Sequence, residues 1–211
     1  MKKLIILLSL FLSTVVFSVE PKFNDNFKQT KKEFNTSSPG KIEVLELFWY
    51  GCIHCYSMDP YLNKWANTLP DDVVFKRVPA IPRKSWVPGA KAYYALETLG
   101  LEGKLHEKLF DAIHKNKELD PNNENAIINW ITLNGKLDAK EVKSAFNSFS
   151  IDSKLKKSYK IFKDAGATGV PTIIIDGNYM TSSTMAGGEQ NAIDITNYII
   201  KNIRNDRKKS K

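Results

Sequence analysis

The chain predicts an α/β fold, a mixed sheet built from a βαβ unit and a later ββα unit, with an all-helical insertion between them. Three observations carry this. Ile42 to Val78 reads strand, helix, strand; Gly89 to Asp164 carries only helical patterns; Thr172 to Ile203 reads strand, tight turn, strand, helix. The two end units are most simply joined in one sheet.

Residues 19–40 are polar and irregular and end in the turn signal Thr36-Ser37-Ser38-Pro39-Gly40. A short strand around Phe27 to Thr30 is the one regular element they suggest. Ile42 to Phe48 is nearly all apolar and rich in branched and aromatic side chains, as a central strand buried on both faces would be. The period then changes: Cys55, Met58, Leu62, Trp65 and Leu69 recur every three or four residues, which marks an amphipathic helix. Pro60 falls inside it and removes one backbone donor, so a kink is expected there. Pro70-Asp71-Asp72 stops the helix, and Val73 to Val78 is the next strand. A strand–helix–strand run of about 40 residues favours parallel pairing of the two strands.

Pro79, Pro82 and Pro88 then break the chain. One helix is expected around Ala92, Tyr93, Leu96 and Leu99, a second around Leu105, Leu109, Phe110 and Ile113. A third covers Asn125 to Leu133 and starts from Asp120-Pro121. Asp138 caps a fourth, with Glu141 at capping-box spacing. Leu155, Tyr159 and Phe162 mark a fifth, ended by Gly166-Ala167-Thr168-Gly169. Thr172 to Ile175 and Tyr179 to Thr181 flank the hairpin signal Asp176-Gly177-Asn178. A final helix carries Ile195, Ile199, Ile200 and Ile203 on one side. The expected division is a signal peptide at 1–18, a sheet domain at 19–82 and 166–211, and the inserted helical domain at 83–165.

The first residues read as an export signal: Lys2 and Lys3, an apolar stretch from Leu4 to Phe17, and Val16 and Ser18 at the −3 and −1 positions of a cleavage site. The stretch is short for a membrane span, which needs about 20 residues; an uncleaved anchor is the rival reading. No cysteine lies near the cleavage site, which excludes lipid attachment of the bacterial type. Removing 18 of the 211 residues leaves 193, which suits one domain carrying a large insertion. The net charge of +8 falls to +6 without Lys2 and Lys3. Much of the rest lies in Lys154 to Lys163 and in the tail from Arg204 to Lys211, which read as a solvated helix face and a frayed end. Nucleic-acid binding has no supporting motif and conflicts with export.

The chain has only two cysteines, in the run Cys52-Ile53-His54-Cys55 directly after the first strand. A disulfide across two residues closes a very small ring and adds little chain-entropy stability. In an oxidising compartment, that spacing suits a bond that opens and closes. Cys52 is expected at the N-terminus of the helix, where free amides and the helix dipole favour a thiolate, and His54 adds a nearby donor or positive charge. Cys55, one turn inside, would be the shielded resolving thiol. The alternatives are an inert structural pair or a metal site. The latter would have three candidate ligands, Cys52, His54 and Cys55, where structural zinc usually takes four. His106 and His114 lie eight apart on the second helix of the insertion and read as surface histidines. Glu46 interrupts the apolar strand six residues before Cys52. It is either one exposed position or a buried carboxylate with a raised pKa that accepts a proton from Cys55.

The segment Phe48-Trp49-Tyr50-Gly51-Cys52-Ile53-His54-Cys55 resembles the active-site segment of the DsbA family of periplasmic thiol oxidases. Gly169-Val170-Pro171-Thr172 resembles that family's cis-proline loop, and the order of elements from about Ile42 to Ile203 is similar throughout. The resemblance implies a thioredoxin fold with an inserted helical domain, and a cis Pro171 beside the disulfide. Val170 would present its backbone to a client strand, and Trp49, Tyr50 and Val170 would border the client groove. The resemblance also places the family's buried acid at Glu46 and its partner lysine at Lys76. One departure stands inside the motif, where Ile53 replaces a proline found in the best-known member and restores a backbone N–H.

The function these readings imply is an exported, periplasmic thiol:disulfide oxidoreductase that donates the Cys52–Cys55 disulfide to reduced, unfolded secreted proteins. A quinone-linked membrane oxidase of the DsbB type would reoxidise it. The protein is expected to be a monomer, without cofactor or metal. A disulfide isomerase or reductase on the same fold is the alternative, although isomerases usually need a dimerisation domain, which the sequence does not display. A Cys/His metal-binding or chaperone-like module is the reading from another class.

Overall fold

In the computed structural model, which describes residues 20–209, strand β2 (Ile42–Phe48) is buried along its whole length. Its nearly continuous apolar sequence suits a strand covered on both faces. The expected signal peptide and its cleavage site lie outside the described residues. β2 pairs in parallel with β3 (Val73–Pro79), through the crossover helix α1 (Ile53–Ala66). On its other side β2 pairs antiparallel with β4 (Thr172–Ile175), which forms a hairpin with β5 (Tyr179–Thr181). The hairpin turns through Asp176 and Gly177, both at positive φ. A Cβ on Gly177 would lie 2.1 Å from the carbonyl oxygen of Phe34, so no larger residue fits this turn. Only Lys28–Gln29 of the expected N-terminal strand is regular; it forms β1 and pairs antiparallel with β5. The five-stranded order is β1-β5-β4-β2-β3, one mixed sheet.

Between β3 and β4 lie α2 (Val87–Thr98), α3 (Glu102–His114), α4 (Glu124–Gly135), α5 (Ala139–Phe146) and α6 (Phe149–Ala165). A 3-10 turn at Lys84–Trp86 leads into α2. α4 starts at Asn123, whose side chain accepts from the Ala126 amide, and not at the expected Asp120-Pro121. Asp138 does cap α5, by accepting from the Lys140 amide. α6 buries Ile151, Ser158 and Ala165 and packs Leu155 and Phe162 inward as expected, whereas Tyr159 is 52% exposed and lies off that face. After β5, the short α7 (Ser183–Ala186) precedes α8 (Glu189–Lys209), which buries Ile195, Ile199 and Ile200.

Alternation along β2 assigns the two faces of the sheet. Ile42 and Val44 pack with Met58, Leu62, Ile193 and Ile199 under α1 and α8. Leu45 and Leu47 pack on the other face with Ile161, Phe162 and Ala165 of α6. Phe48 and Tyr50, at the end of the strand, join a third core that runs through α2 to α5. The helical block is thus seated on the end of the sheet where the cysteines stand.

Candidate active site

α1 begins where β2 ends, and the turn between them holds both cysteines. Cys52 is the N-cap residue of α1, with extended backbone (φ −94°, ψ 115°). Its amide donates to the Trp49 carbonyl (2.9 Å), and its own carbonyl accepts the Tyr56 amide (3.1 Å). No side chain caps this helix end, so the first amides of α1 face the Cys52 sulfur. Cys55 is fully buried one turn inside, while Cys52 is half-buried.

The two thiols are free, and their environments push them apart. The hydrogen bond from Cys55, then the amides of Cys55 and His54 and the nearby His54 charge, lower the Cys52 thiol to about 6 against the opposition of burial. Burial pushes the Cys55 thiol up, and so do its hydrogen bond to Cys52 and the field of Glu46. His54 is exposed on the first turn of α1. Ile53 opens the helix and is 52% exposed, an apolar face beside the sulfur that the motif reading left unassigned.

The second wall comes from the other end of the chain. The Val170–Pro171 peptide is cis. The Cys52 sulfur lies 3.4 Å from the Val170 carbonyl oxygen, as donor to acceptor. Thr172 donates its hydroxyl to the Gly169 carbonyl (2.8 Å) and fastens this loop to β4. A cavity of about 290 Å³ opens beside the loop, lined by His54, Val170 and Pro171 together with Ser182, Ser183 and Thr184.

Trp49 is partly exposed and stacks on Trp86 from the 3-10 turn, with ring centroids 4.1 Å apart and planes 3° from parallel. Gly51 lies against the six-membered ring of Trp49, where a Cβ would come within 2.4 Å. Trp49 is therefore packed against both a glycine and a second indole. Tyr50, expected at the client groove, is 1% exposed and points inward instead. Its ring meets Phe48 and Phe110 edge-on and its hydroxyl bonds His106, so its side chain is not available to a client.

Glu46 is 1% exposed, on the face of β2 that α1 covers, and burial raises its carboxyl to about 8. The expected partner Lys76 is not beside it. Lys76 is paired across β2–β3 with Leu45 and its Nζ lies 2.8 Å from Glu43, which also accepts from Ser37 and Ser38. Glu46 is opposite Arg77, whose Nε lies 3.3 Å from its Oε2. The correction follows from the two-residue period of a strand: neighbours point to opposite faces, so one residue of register decides which cation meets the buried acid.

Arg77 also donates to Asp59 of α1 (2.8 Å), and Asp59 in turn accepts from His106 of α3 at 3.2 Å. His106 is 4% exposed, and His114 bonds the Tyr50 carbonyl at 2.7 Å, so neither is the surface histidine that the helix pattern suggested. The sequence carried a signal for both residues that were overlooked. Asp59 sits next to Met58 in the apolar stripe of α1, and His106 next to Leu105 in that of α3, where a polar side chain must find partners. Among the described residues, no group of three or more His, Cys, Asp or Glu side chains converges as a metal site would.

The profile of the DSBA-like thioredoxin domain matches residues 43–197. A thiol:disulfide interchange protein DsbA from Azotobacter vinelandii is 37% identical over 201 residues, covering 93% of this chain and 92% of its own. One from Burkholderia cepacia is 33% identical and covers 98% and 100%. The crystal structure of Pseudomonas aeruginosa DsbA superposes with a TM-score of 0.80 at 33% identity, over 89% of this chain and 97% of that one. The oxidoreductase DsbA from Xylella fastidiosa gives 0.81 at 26% identity, over 87% and 98%. With the paired thiols on this frame, the chain belongs to the DsbA-like thioredoxin-domain family and is a thiol:disulfide oxidoreductase.

Proposed function

We propose that this oxidoreductase works as an oxidase, passing the Cys52–Cys55 disulfide to reduced proteins that are folding after export. The observation that carries this reading is the contrast between the sulfurs: Cys52 is accessible and held low at about 6, whereas Cys55 is buried and held high. A low thiol pKa stabilises the reduced enzyme and makes Cys52 a good leaving group, both properties of an oxidant.

The exchange runs in two steps. A client thiolate attacks the Cys52 sulfur; the Cys52–Cys55 bond breaks and its electron pair goes to Cys55. Glu46, beneath Cys55, gives that sulfur a proton and becomes a carboxylate held by Arg77. The client's second thiolate then attacks the client sulfur of the mixed disulfide, and Cys52 departs as a thiolate. The client leaves oxidised by two electrons and the enzyme leaves reduced. On reoxidation, Glu46 takes the proton back from Cys55. Val170 and Pro171 form the wall against which the client chain lies, with Trp49 and the exposed Ile53 as apolar contacts.

The chain acts in the periplasm after cleavage behind Ser18, as a monomer, with a quinone-linked membrane oxidase of the DsbB type as electron acceptor. The export signal in residues 1–18 supports the location. The inserted helical segment, residues 83–165, behaves as a unit that closes the cysteine end of the sheet.

A redox titration against glutathione tests the reading. An oxidase equilibrates well above thioredoxin; a potential near about −270 mV would make the protein a reductase instead.

A further inference from the structure

We infer that His106 is a positioning residue for the proton step at Cys55: clamped between the Tyr50 hydroxyl and the Asp59 carboxylate, it keeps Asp59 ionised and so leaves the cluster's proton on Glu46. The inference rests on the reading of Glu46 as the buried proton carrier.

The geometry fixes the state of the ring. Its Nδ1 is 2.7 Å from the Tyr50 hydroxyl and its Nε2 is 3.2 Å from Asp59 Oδ1. A carboxylate cannot donate, so Nε2 carries the proton and Nδ1 accepts from Tyr50. Phe48, Tyr93 and Phe110 meet the imidazole edge-on and close it off from water. Burial holds it below the ordinary histidine range, so the ring is neutral at neutral pH.

Two carboxylates share one guanidinium here. Asp59 accepts from Arg77 (2.8 Å), from His106 and from Asn63 (2.8 Å). Among the described residues, Glu46 has only the Arg77 Nε at 3.3 Å. When two interacting acids share a site, the proton goes to the one with fewer donors. The imidazole N–H is one of the three donors that place it on Glu46. It reaches Cys55 only through Asp59, Arg77 and Glu46, so it positions the proton without touching the reacting sulfurs.

The charged and titratable groups around His106 come from every packed element: Tyr50 before α1, Asp59 on α1, Arg77 on β3, Tyr93 on α2 and Glu102 on α3 itself. Glu46 is faced by Arg77, Asp59 and Cys52, and its field acts on Cys55. Without the imidazole donor, Asp59 holds its charge less well, and Arg77 is freer to serve Glu46. Glu46 then gives up its proton at lower pH.

The test follows the side-chain carboxyl carbons of Glu46 and Asp59 by NMR through a pH titration of the oxidised protein, where neither cysteine titrates. In the wild type Glu46 should titrate well above the ordinary carboxylate range, because it is buried in either redox state. In His106→Phe its midpoint should fall by about one pH unit, a tenfold change in proton affinity, and that of Asp59 should rise. His106→Gln, which keeps an N–H for Asp59, should restore the wild-type midpoint. A Glu46 midpoint unmoved in folded His106→Phe overturns the inference and leaves Glu46 as proton carrier. A wild-type Glu46 already ionised at neutral pH removes the proton-carrier reading, and the inference with it. If His106→Phe does not fold, nitrogen NMR of the wild-type imidazole decides, since a proton on Nδ1 at neutral pH contradicts the clamp.

Discussion

The Cys52 sulfur lies 3.4 Å from the carbonyl oxygen of Val170, 118 positions further along the chain. The contact exists because β2 and β4 are antiparallel neighbours, with Leu47 opposite Thr172. The end of β2 and the start of β4 therefore meet at one edge of the sheet, and α1 departs from the same point. A thiolate at Cys52 is thus formed by the helix amides on one side and approached by clients along a backbone wall on the other.

Cys55→Ser should form a mixed disulfide with oxidised glutathione rapidly, because Cys52 keeps its accessible, low-pKa sulfur. Cys52→Ser should react slowly, because the remaining thiol is buried and held high. Mass spectrometry of quenched samples measures both rates, and equal rates would remove the assignment of Cys52 as the attacked sulfur.

Glu46→Gln should stabilise the oxidised protein at neutral pH and slow the exchange. Burial raises the carboxyl from 4.5 to about 8, so holding the proton at pH 7 costs up to about 3 kcal/mol against the unfolded chain. The sign follows from the raised value: the penalty is absent below 4.5, grows as pH rises and is complete above about 8. The amide avoids it but weakens the Arg77 contact, so a net gain of about 1–2 kcal/mol is expected in urea unfolding. A loss of stability at every pH would show that the ion pair outweighs burial.

The reduced protein should gain stability on the oxidised one as pH rises. The folded Cys52 value, about 6, lies below the reference of 9.0. This contribution is therefore fully present above 9, diminishes below it, and is lost as pH falls through about 6. Urea midpoints of the two forms across that window measure it; a constant difference would mean that Cys52 is not a stabilised thiolate.

Gly51→Ala should disturb the site through packing alone. The new methyl meets the Trp49 ring at 2.4 Å, and any shift of Trp49 must also disturb its stack with Trp86. A loss of about 1–3 kcal/mol is expected, as for overpacked cores, with slower exchange. Trp86→Ala in the same background should recover part of both losses by giving Trp49 room. Calorimetry and exchange kinetics of the two variants would show whether the stack is the obstacle.

Much of this was legible in the sequence because it is local. The β2 run, the change of period at Cys55 and the Asp176-Gly177-Asn178 turn each depend on a few neighbouring residues, and each element formed. The cysteine motif placed Cys52 at a helix start for the same reason. What was not legible depends on register and on tertiary burial. Lys76 and Arg77 are adjacent, and only the β2–β3 pairing decides that Arg77 meets Glu46 while Lys76 meets Glu43. Tyr50 beside the motif suggested a client contact, yet the helical block folds over it and turns its hydroxyl to His106. His106 and Asp59 each carry a helical position that faces the core, and their pairing across α1 and α3 is visible only once the helices are packed.

The most direct test of the account is the pH dependence of thiolate absorbance in the reduced protein, with Cys55→Ala to isolate the Cys52 signal. The account predicts a midpoint for Cys52 far below that of an ordinary thiol, near 6 with both cysteines present and somewhat higher once the Cys55 hydrogen bond is removed. A midpoint in both proteins at the unperturbed value, about 8.5, would contradict it, because the helix start would then give Cys52 no advantage as a leaving group.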